Sequence, residues 1–325
     1  MCSLFGWLDY KGIVNTKILK NLTQRLADAA EERGTDAAGI AYVRDGKVVV
    51  YKRPKPAHKM KFNLPKDTKA CMGHTRFATQ GDKKDNYNNH PFTGIADVQF
   101  ALAHNGVLYN DKQLRKSMEL PETKIKTDSY IAVQILESYK ELTLYRLCDM
   151  AEELQGTYNF SVLDEYNNLY LVKGNNPLKL LHFAELGIYI YASTESILKA
   201  ALKGTIFERF KHTVVETEDG DAIKINYRGE TARMIFKPYQ VQYYKYLMYD
   251  DEDLYENYED SQLELILDYC KYYGVDEEVV YDLMEYGYSL DEISDVISDK
   301  RTLDLHLSYI RGGCTYDETG VYGDC

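Results

Sequence analysis

Nine short runs rich in β-branched and aromatic residues recur between residues 37 and 226: AAGIAYV, KVVVYK, ACMGHTR, QFALAHNG, YNFSVLD, LYLVKG, LKLLHF, GIYIYAS and DAIKIN. Four helical patterns lie among them. Residues 16–33 place Leu19, Leu22, Leu26 and Ala29 on one stripe, with Thr16 as cap and Gly34 positioned to stop the helix. A second pattern starts from Asp128, an acidic cap ahead of SYIAVQILESYKE. A third starts at Thr143, with Leu144, Leu147, Ala151 and Leu154 apolar, and a short fourth starts at Thr194. Strands in such excess over helices imply an α+β fold with predominantly antiparallel sheets.

The pattern changes near residue 245. All seven prolines lie at or before Pro238, whereas thirteen of the thirty tyrosines fall between Tyr239 and Tyr288. The net charge of -12 is concentrated too, because residues 250–300 hold 18 of the 51 acidic residues and only 2 of the 39 basic ones. Three helical patterns follow the acidic segment: 261–273, 276–286, and 289–299, the last opened by a capping box of Ser289 and Glu292. The reading is a main domain over 2–245, an acidic Tyr-rich helical module over 250–310 and a tail over 311–325.

Composition excludes several classes. An acidic segment repels phosphate, and the rest of the chain has no basic stripe, so nucleic acid is not an expected partner. No apolar run reaches the roughly 18 residues that span a bilayer, and the opening MCSLFGWLDYKG lacks the basic start and apolar stretch of a signal peptide. A cytoplasmic protein without a membrane partner is expected. Cysteines 2, 71, 148, 270, 314 and 325 form no C-x-x-C pair and the seven histidines form no H-x-x-x-H set, so neither a metal nor another cofactor is expected.

Cys2 stands out chemically. Removal of Met1, which the small side chain after it permits, leaves a thiol and a free α-amine on one residue. An α-amine titrates near 7.7–8.0 and a thiol near 8.5, so the amine can take the thiol proton near neutral pH, directly or through one water.

Cys2 with SLFGW is followed by RGTDAAGIAY from Arg33, GHTRFATQG from Gly73, NNHPF from Asn88, LAHNGVLYN from Leu102 and TDSY from Thr127. In this order, over about residues 2–205, the motifs resemble a class II glutamine amidotransferase domain. The resemblance implies a four-layer αββα N-terminal-nucleophile sandwich of two antiparallel sheets, with the helical module added. It also implies hydrolysis of L-glutamine by a Cys2 thiolate through a glutamyl thioester, with ammonia released.

The motif residues suit that chemistry. An amide hydrolase must stabilise a tetrahedral oxyanion, and the Asn105 side-chain amide with the Gly106 N–H offers two donors; the competing reading is a plain His-Asn-Gly turn. Free glutamine is a zwitterion. The fork of Arg76 fits its carboxylate and Asp128 its ammonium; the simpler readings are a surface ion pair for Arg76 and a helix cap for Asp128, the cap being compatible with the ligand role. Thr79 is placed beside them on the glutamine loop. Arg33 is read as a buttress of the nucleophile's strand, and His90, like His74 and His104, as a supporting residue rather than a base. Two departures from the family pattern are Phe77, where tryptophan is frequent, and Gln80, where histidine is frequent.

No S-G-G-x-D-S loop of an adenylating synthetase follows, and about 120 residues remain, too few for paired sugar isomerase domains. The expected partner is therefore a separate ammonia-accepting synthetase or amidoligase. The alternatives are a stand-alone hydrolase of another γ-glutamyl amide and a non-catalytic scaffold binding through its acidic C-terminal helices.

Overall fold

The computed structural model describes residues 2–77, 81, 82 and 84–239 and, within 263–307, residues 263, 266, 267, 270, 275–298, 303, 306 and 307. The chain divides into two compact units, residues 1–241 and 242–325.

The first unit is built on two antiparallel sheets. Among the described residues sheet A has seven strands in the order β11 (Thr213–Val215), β9 (Lys179–Phe183), β10 (Ile188–Ala192), β1 (Ser3–Asp9), β4 (Ala70–Arg76), β2 (Ala37–Arg44) and β3 (Lys47–Arg53), and sheet B six in the order β13 (Thr231–Ile235), β12 (Asp221–Ile225), β8 (Leu169–Lys173), β7 (Gly156–Asp164), β6 (Gln99–Leu108) and β5 (Phe92–Ile95). The site draws on β1 (Ser3–Asp9), β2 (Ala37–Arg44), β3 (Lys47–Arg53), β4 (Ala70–Arg76), β6 (Gln99–Leu108) and β7 (Gly156–Asp164). The helices are α1 (Thr16–Ala29), α2 (Asp111–Ser117), α3 (Tyr130–Tyr139), α4 (Leu144–Glu153) and α5 (Glu195–Leu202).

Side-chain alternation along the strands makes three cores, and with them four layers. On β1, Phe5 and Trp7 face α1 and α5, packing with Leu19, Leu22, Leu26, Ile197 and Leu198. Leu4 and Leu8 face the other way, meeting Met72, Ala101, Ala103, Leu163 and Leu171 between the sheets. Sheet B's outer face packs Leu102, Phe160 and Val162 against Ile131, Ile135, Leu147 and Ala151 of α3 and α4. The expected αββα sandwich is what the chain forms. Trp7, fully buried, also donates from Nε1 to Thr23 Oγ1 at 2.9 Å, which ties β1 to α1.

Several local expectations change. The first helix is α-helical only over 16–29; residues 30–33 tighten into a 3-10 turn. Its cap is Asn15, which accepts the Lys17 N–H, rather than Thr16. Gly34 ends that turn as expected, its N–H donating to the Glu31 carbonyl, but its φ of 178° is extended and needs no left-handed freedom; a Cβ there would lie 2.6 Å from the Arg76 carbonyl carbon. Asp128 caps nothing, because α3 opens after Ser129 and the Asp128 carboxylate is engaged elsewhere.

The second unit has its own core of Ile266, Cys270, Val279, Val280, Leu283, Ile293, Val296, Ile297 and Leu303. Helices α6 (Glu278–Glu285) and α7 (Leu290–Ser298) fall where the second and third C-terminal patterns predict helices. The capping box forms, with Glu292 Oε2 accepting the Ser289 N–H at 2.9 Å and Ser289 Oγ the Glu292 N–H at 3.4 Å. Most of the expected 261–273 helix and all of the 311–325 tail lie outside the described residues.

Candidate active site

The sandwich brings the start of the chain to the middle of a sheet. Strand β1 is fourth of seven in sheet A, and Cys2 immediately precedes it with the parity of Leu4, whose side chain faces sheet B. The Ser3↔Thr75 register sets the end of β4 beside it, so Arg76 and Phe77 become Cys2's neighbours. Cys2 Sγ lies 3.4 Å from both the carbonyl oxygen and the nitrogen of Phe77. Arg33 Nε donates to the Cys2 carbonyl at 3.0 Å, which fixes the backbone of the nucleophile's residue from the helix side.

Sheet B supplies the opposing wall. Asn105 and Gly106 lie inside β6, not at its end, so the His-Asn-Gly turn reading fails. Gly106 holds φ +144° opposite Tyr158, and a Cβ there would come within 1.9 Å of the Thr157 carbonyl oxygen; no other residue fits that close approach. The Asn105 side chain is buried, and its Nδ2 has no hydrogen-bond partner. A buried unpaired donor is costly, and this one belongs to the residue before Gly106, which lines a cleft.

Arg76 is buried rather than at the surface. Its Nη1 donates to Asn89 Oδ1 at 2.6 Å and its Nη2 to the Gly81 carbonyl at 3.0 Å. The Asp128 carboxylate accepts the Leu108 N–H at 2.7 Å and the Ser129 hydroxyl at 3.3 Å. Cys2, Arg76, Phe77, His90, His104, Gly106, Thr127, Asp128 and Ser129 line one cleft. Thr79 and Gln80 lie outside the described residues.

The electrostatics favour a protonated nucleophile at rest. Burial pushes the Cys2 thiol above its usual range, against the Phe77 N–H and the Arg76 guanidinium, which lower it; the Asp128 carboxylate adds to the rise. The three histidines are held neutral. Burial brings His74 down to about 3 and lowers His90 and His104, with Arg76 adding to the effect on His74 and His90. In His74, Nε2 donates to the His104 carbonyl at 2.9 Å, so its unpartnered Nδ1 carries no proton. His104 meets Ser129 Oγ at 2.8 Å and the Thr157 carbonyl at 3.3 Å.

Sequence reasoning missed four contributors. Thr127 presents a buried, unpartnered Oγ1 to the cleft, and Ser129 bridges His104 and Asp128. Lys52, whose pKa burial lowers to about 8, ties down the segment carrying His90. Asn89 orients Arg76. Thr127, Ser129 and Asn89 sit inside quoted motifs, so their proximity to assigned residues was the available signal.

Residues 74–200 match the family model of a glutamine amidotransferase domain. These residues carry a class II glutamine amidotransferase domain. Its relatives include glutamine–fructose-6-phosphate aminotransferase of Aquifex aeolicus, 32% identical over 186 residues, covering 55% of this chain and 30% of that protein. Another is 7-cyano-7-deazaguanine synthase 2 of Sulfurisphaera tokodaii, 26% identical over 234 residues, covering 69% of this chain and 50% of that protein. The chain thus spans half or less of these relatives' lengths. Among solved structures, the glutamine phosphoribosylpyrophosphate amidotransferase from B. subtilis, complexed with ADP and GMP, aligns with a TM-score of 0.58 at 22% identity, over 73% of this chain and 49% of that one. That likeness supports the fold of the amidotransferase domain alone. No helix among the described residues is long and apolar enough to cross a membrane.

Proposed function

We propose that the amidotransferase domain hydrolyses the side-chain amide of L-glutamine and that its ammonia passes to a separate synthetase or amidoligase. The carrying observation is the meeting of the Cys2 thiol, a buried guanidinium and a carboxylate around one cleft that Gly106 also lines, with the buried, unpaired amide donor of Asn105 on the residue before it.

Arg76 takes the substrate carboxylate and Asp128 the ammonium, which orients the amide toward Cys2. The α-amine of Cys2, exposed by loss of Met1, takes the thiol proton. This step is needed because burial holds the thiol protonated near neutral pH. Sulfur attacks the amide carbon, and the developing oxyanion receives the Asn105 Nδ2 and Gly106 N–H donors. The amine returns its proton to the departing nitrogen, which leaves as ammonia. Water then cleaves the thioester to glutamate and restores the thiol. By its motif Thr79 is assigned to substrate binding, and His90, which lines the cleft, supports the site.

The test is release of glutamate and ammonia from L-glutamine by protein whose intact mass lacks Met1. Cys2→Ala should abolish turnover; an undiminished rate would refute the mechanism.

A further inference from the structure

We propose that Asn88 and Asn89 are positioning residues that set the gap between Arg76 and Asp128, and so tune recognition of the amino-acid end of the substrate. This rests on the glutaminase reading above. Both side chains are buried, in and just after the 3-10 turn Asn86–Asn88. Asn89 Oδ1 accepts from Arg76 Nη1 at 2.6 Å, and its Nδ2 reaches Asn86 Oδ1 at 3.3 Å, which fixes the amide with its oxygen toward the guanidinium. Asn88 holds the other side. Its Oδ1 accepts the Lys126 N–H at 2.9 Å, two residues before Asp128, while its Nδ2 donates to the Asp82 carbonyl at 3.1 Å, next to the Gly81 carbonyl that Arg76 also engages.

The turn is itself anchored. Lys52 Nζ donates to the Asn89 carbonyl and, at 3.0 Å, to the Pro91 carbonyl, while Asn86 Nδ2 returns a bond to the Lys52 carbonyl at 3.0 Å. Two adjacent side chains on a fixed turn therefore hold the segments carrying both charged groups. The carboxylate-to-ammonium spacing of an α-amino acid is set by its covalent structure, so the gap between their receptors must be held as closely; a misplacement of about 1 Å can cost about 100-fold. A neutral amide at position 89 suits this task, because it orients the guanidinium without cancelling its charge.

The experiment separates charge from packing. Asn89→Asp keeps the acceptor and the size but pairs a carboxylate with Arg76. We expect KM for L-glutamine to rise at least about tenfold with kcat within about threefold, and Asn89→Ala to raise KM by less. Alkylation of Cys2, followed by peptide mass mapping, gives a readout free of turnover. In Asn89→Asp, a chloroketone shaped like glutamine should react at least about tenfold more slowly, and iodoacetamide within about twofold of wild type. An unchanged KM, or equal slowing of both reagents, overturns the assignment. Wild-type protein whose Cys2 shows no preference for the glutamine-shaped reagent overturns the glutaminase reading and this proposal with it. Should Asn89→Asp be insoluble, Asn88→Asp reads the same proposal from the Asp128 side: it keeps the Lys126 acceptor, loses the Asp82 bond and must raise KM.

Discussion

Asn105 carries a donor that the fold buries and leaves unused. Removing a buried group that makes no hydrogen bond relieves a desolvation cost, which offsets the packing that a small side chain gives up. Asn105→Ala should therefore change the unfolding free energy by less than about 1 kcal/mol, while the rate of glutamine hydrolysis falls about 100- to 1000-fold. Urea unfolding and glutamate release measured on one preparation check this. A loss of several kcal/mol would make the residue structural instead. The sequence carried the identity of such residues but not their surroundings. Arg76 and Asp128 were legible from the needs of a zwitterionic ligand. That Arg76 is buried against Asn89, and that Asp128 takes a strand N–H instead of capping a helix, depends on long-range register that local pattern does not encode.

Where strands meet, the three buried histidines make a seam. His74 on β4 donates to the carbonyl of His104 on β6, bridging the two sheets, and the His90 ring lies 4.2 Å from that of His74 and 4.4 Å from that of Phe92. All three have lowered pKa values, first through burial; Arg76 lowers His74 and His90 further, whereas Asp128 opposes the shift at His104. The folded state thus keeps them neutral below the ordinary value of about 6.5, where the unfolded chain takes up protons. Their contribution is fully present above pH 6.5 and is lost as pH falls toward the folded values, near 3 for His74. Each histidine adds a slope of up to about 1.4 kcal/mol per pH unit, so the three together give up to about 4. Urea unfolding between pH 7 and 5 should show this decline, and His90→Phe should reduce its slope. Stability that is flat across that range would contradict it. The elements themselves were unevenly legible. The half-buried helices and the longer strands carry a readable period. β1 is buried on both faces and shows no polar alternation, so SLFGWLD is missing from the nine strand-like runs, and a strand there follows only from the resemblance, as the nucleophile's strand that Arg33 buttresses. The short strands Phe92–Ile95, Thr213–Val215 and Thr231–Ile235 owe their form to their neighbours' pairing, which no local pattern reports.

At the scale of the whole chain, composition marked an edge near residue 245, and the fold divides between residues 241 and 242. Among the described residues, three hydrophobic clusters lie wholly within the first unit, and a further one is made of residues within 266–303 with partly buried neighbours from 263–307. Each unit that buries its own apolar surface has its own source of stability. Every described lining residue of the cleft falls before residue 130. A fragment ending at residue 241 should therefore fold, unfold cooperatively with a midpoint within about 4 °C of the full chain, and keep its kcat and KM for glutamine within about twofold. Calorimetry and glutamate release on both proteins provide the measurement. If the acidic unit serves an acceptor enzyme, the fragment should release ammonia as the full chain does yet fail to hand it on. A fragment that is insoluble, or inactive on glutamine, would instead show that the helices of the second unit complete the catalytic fold.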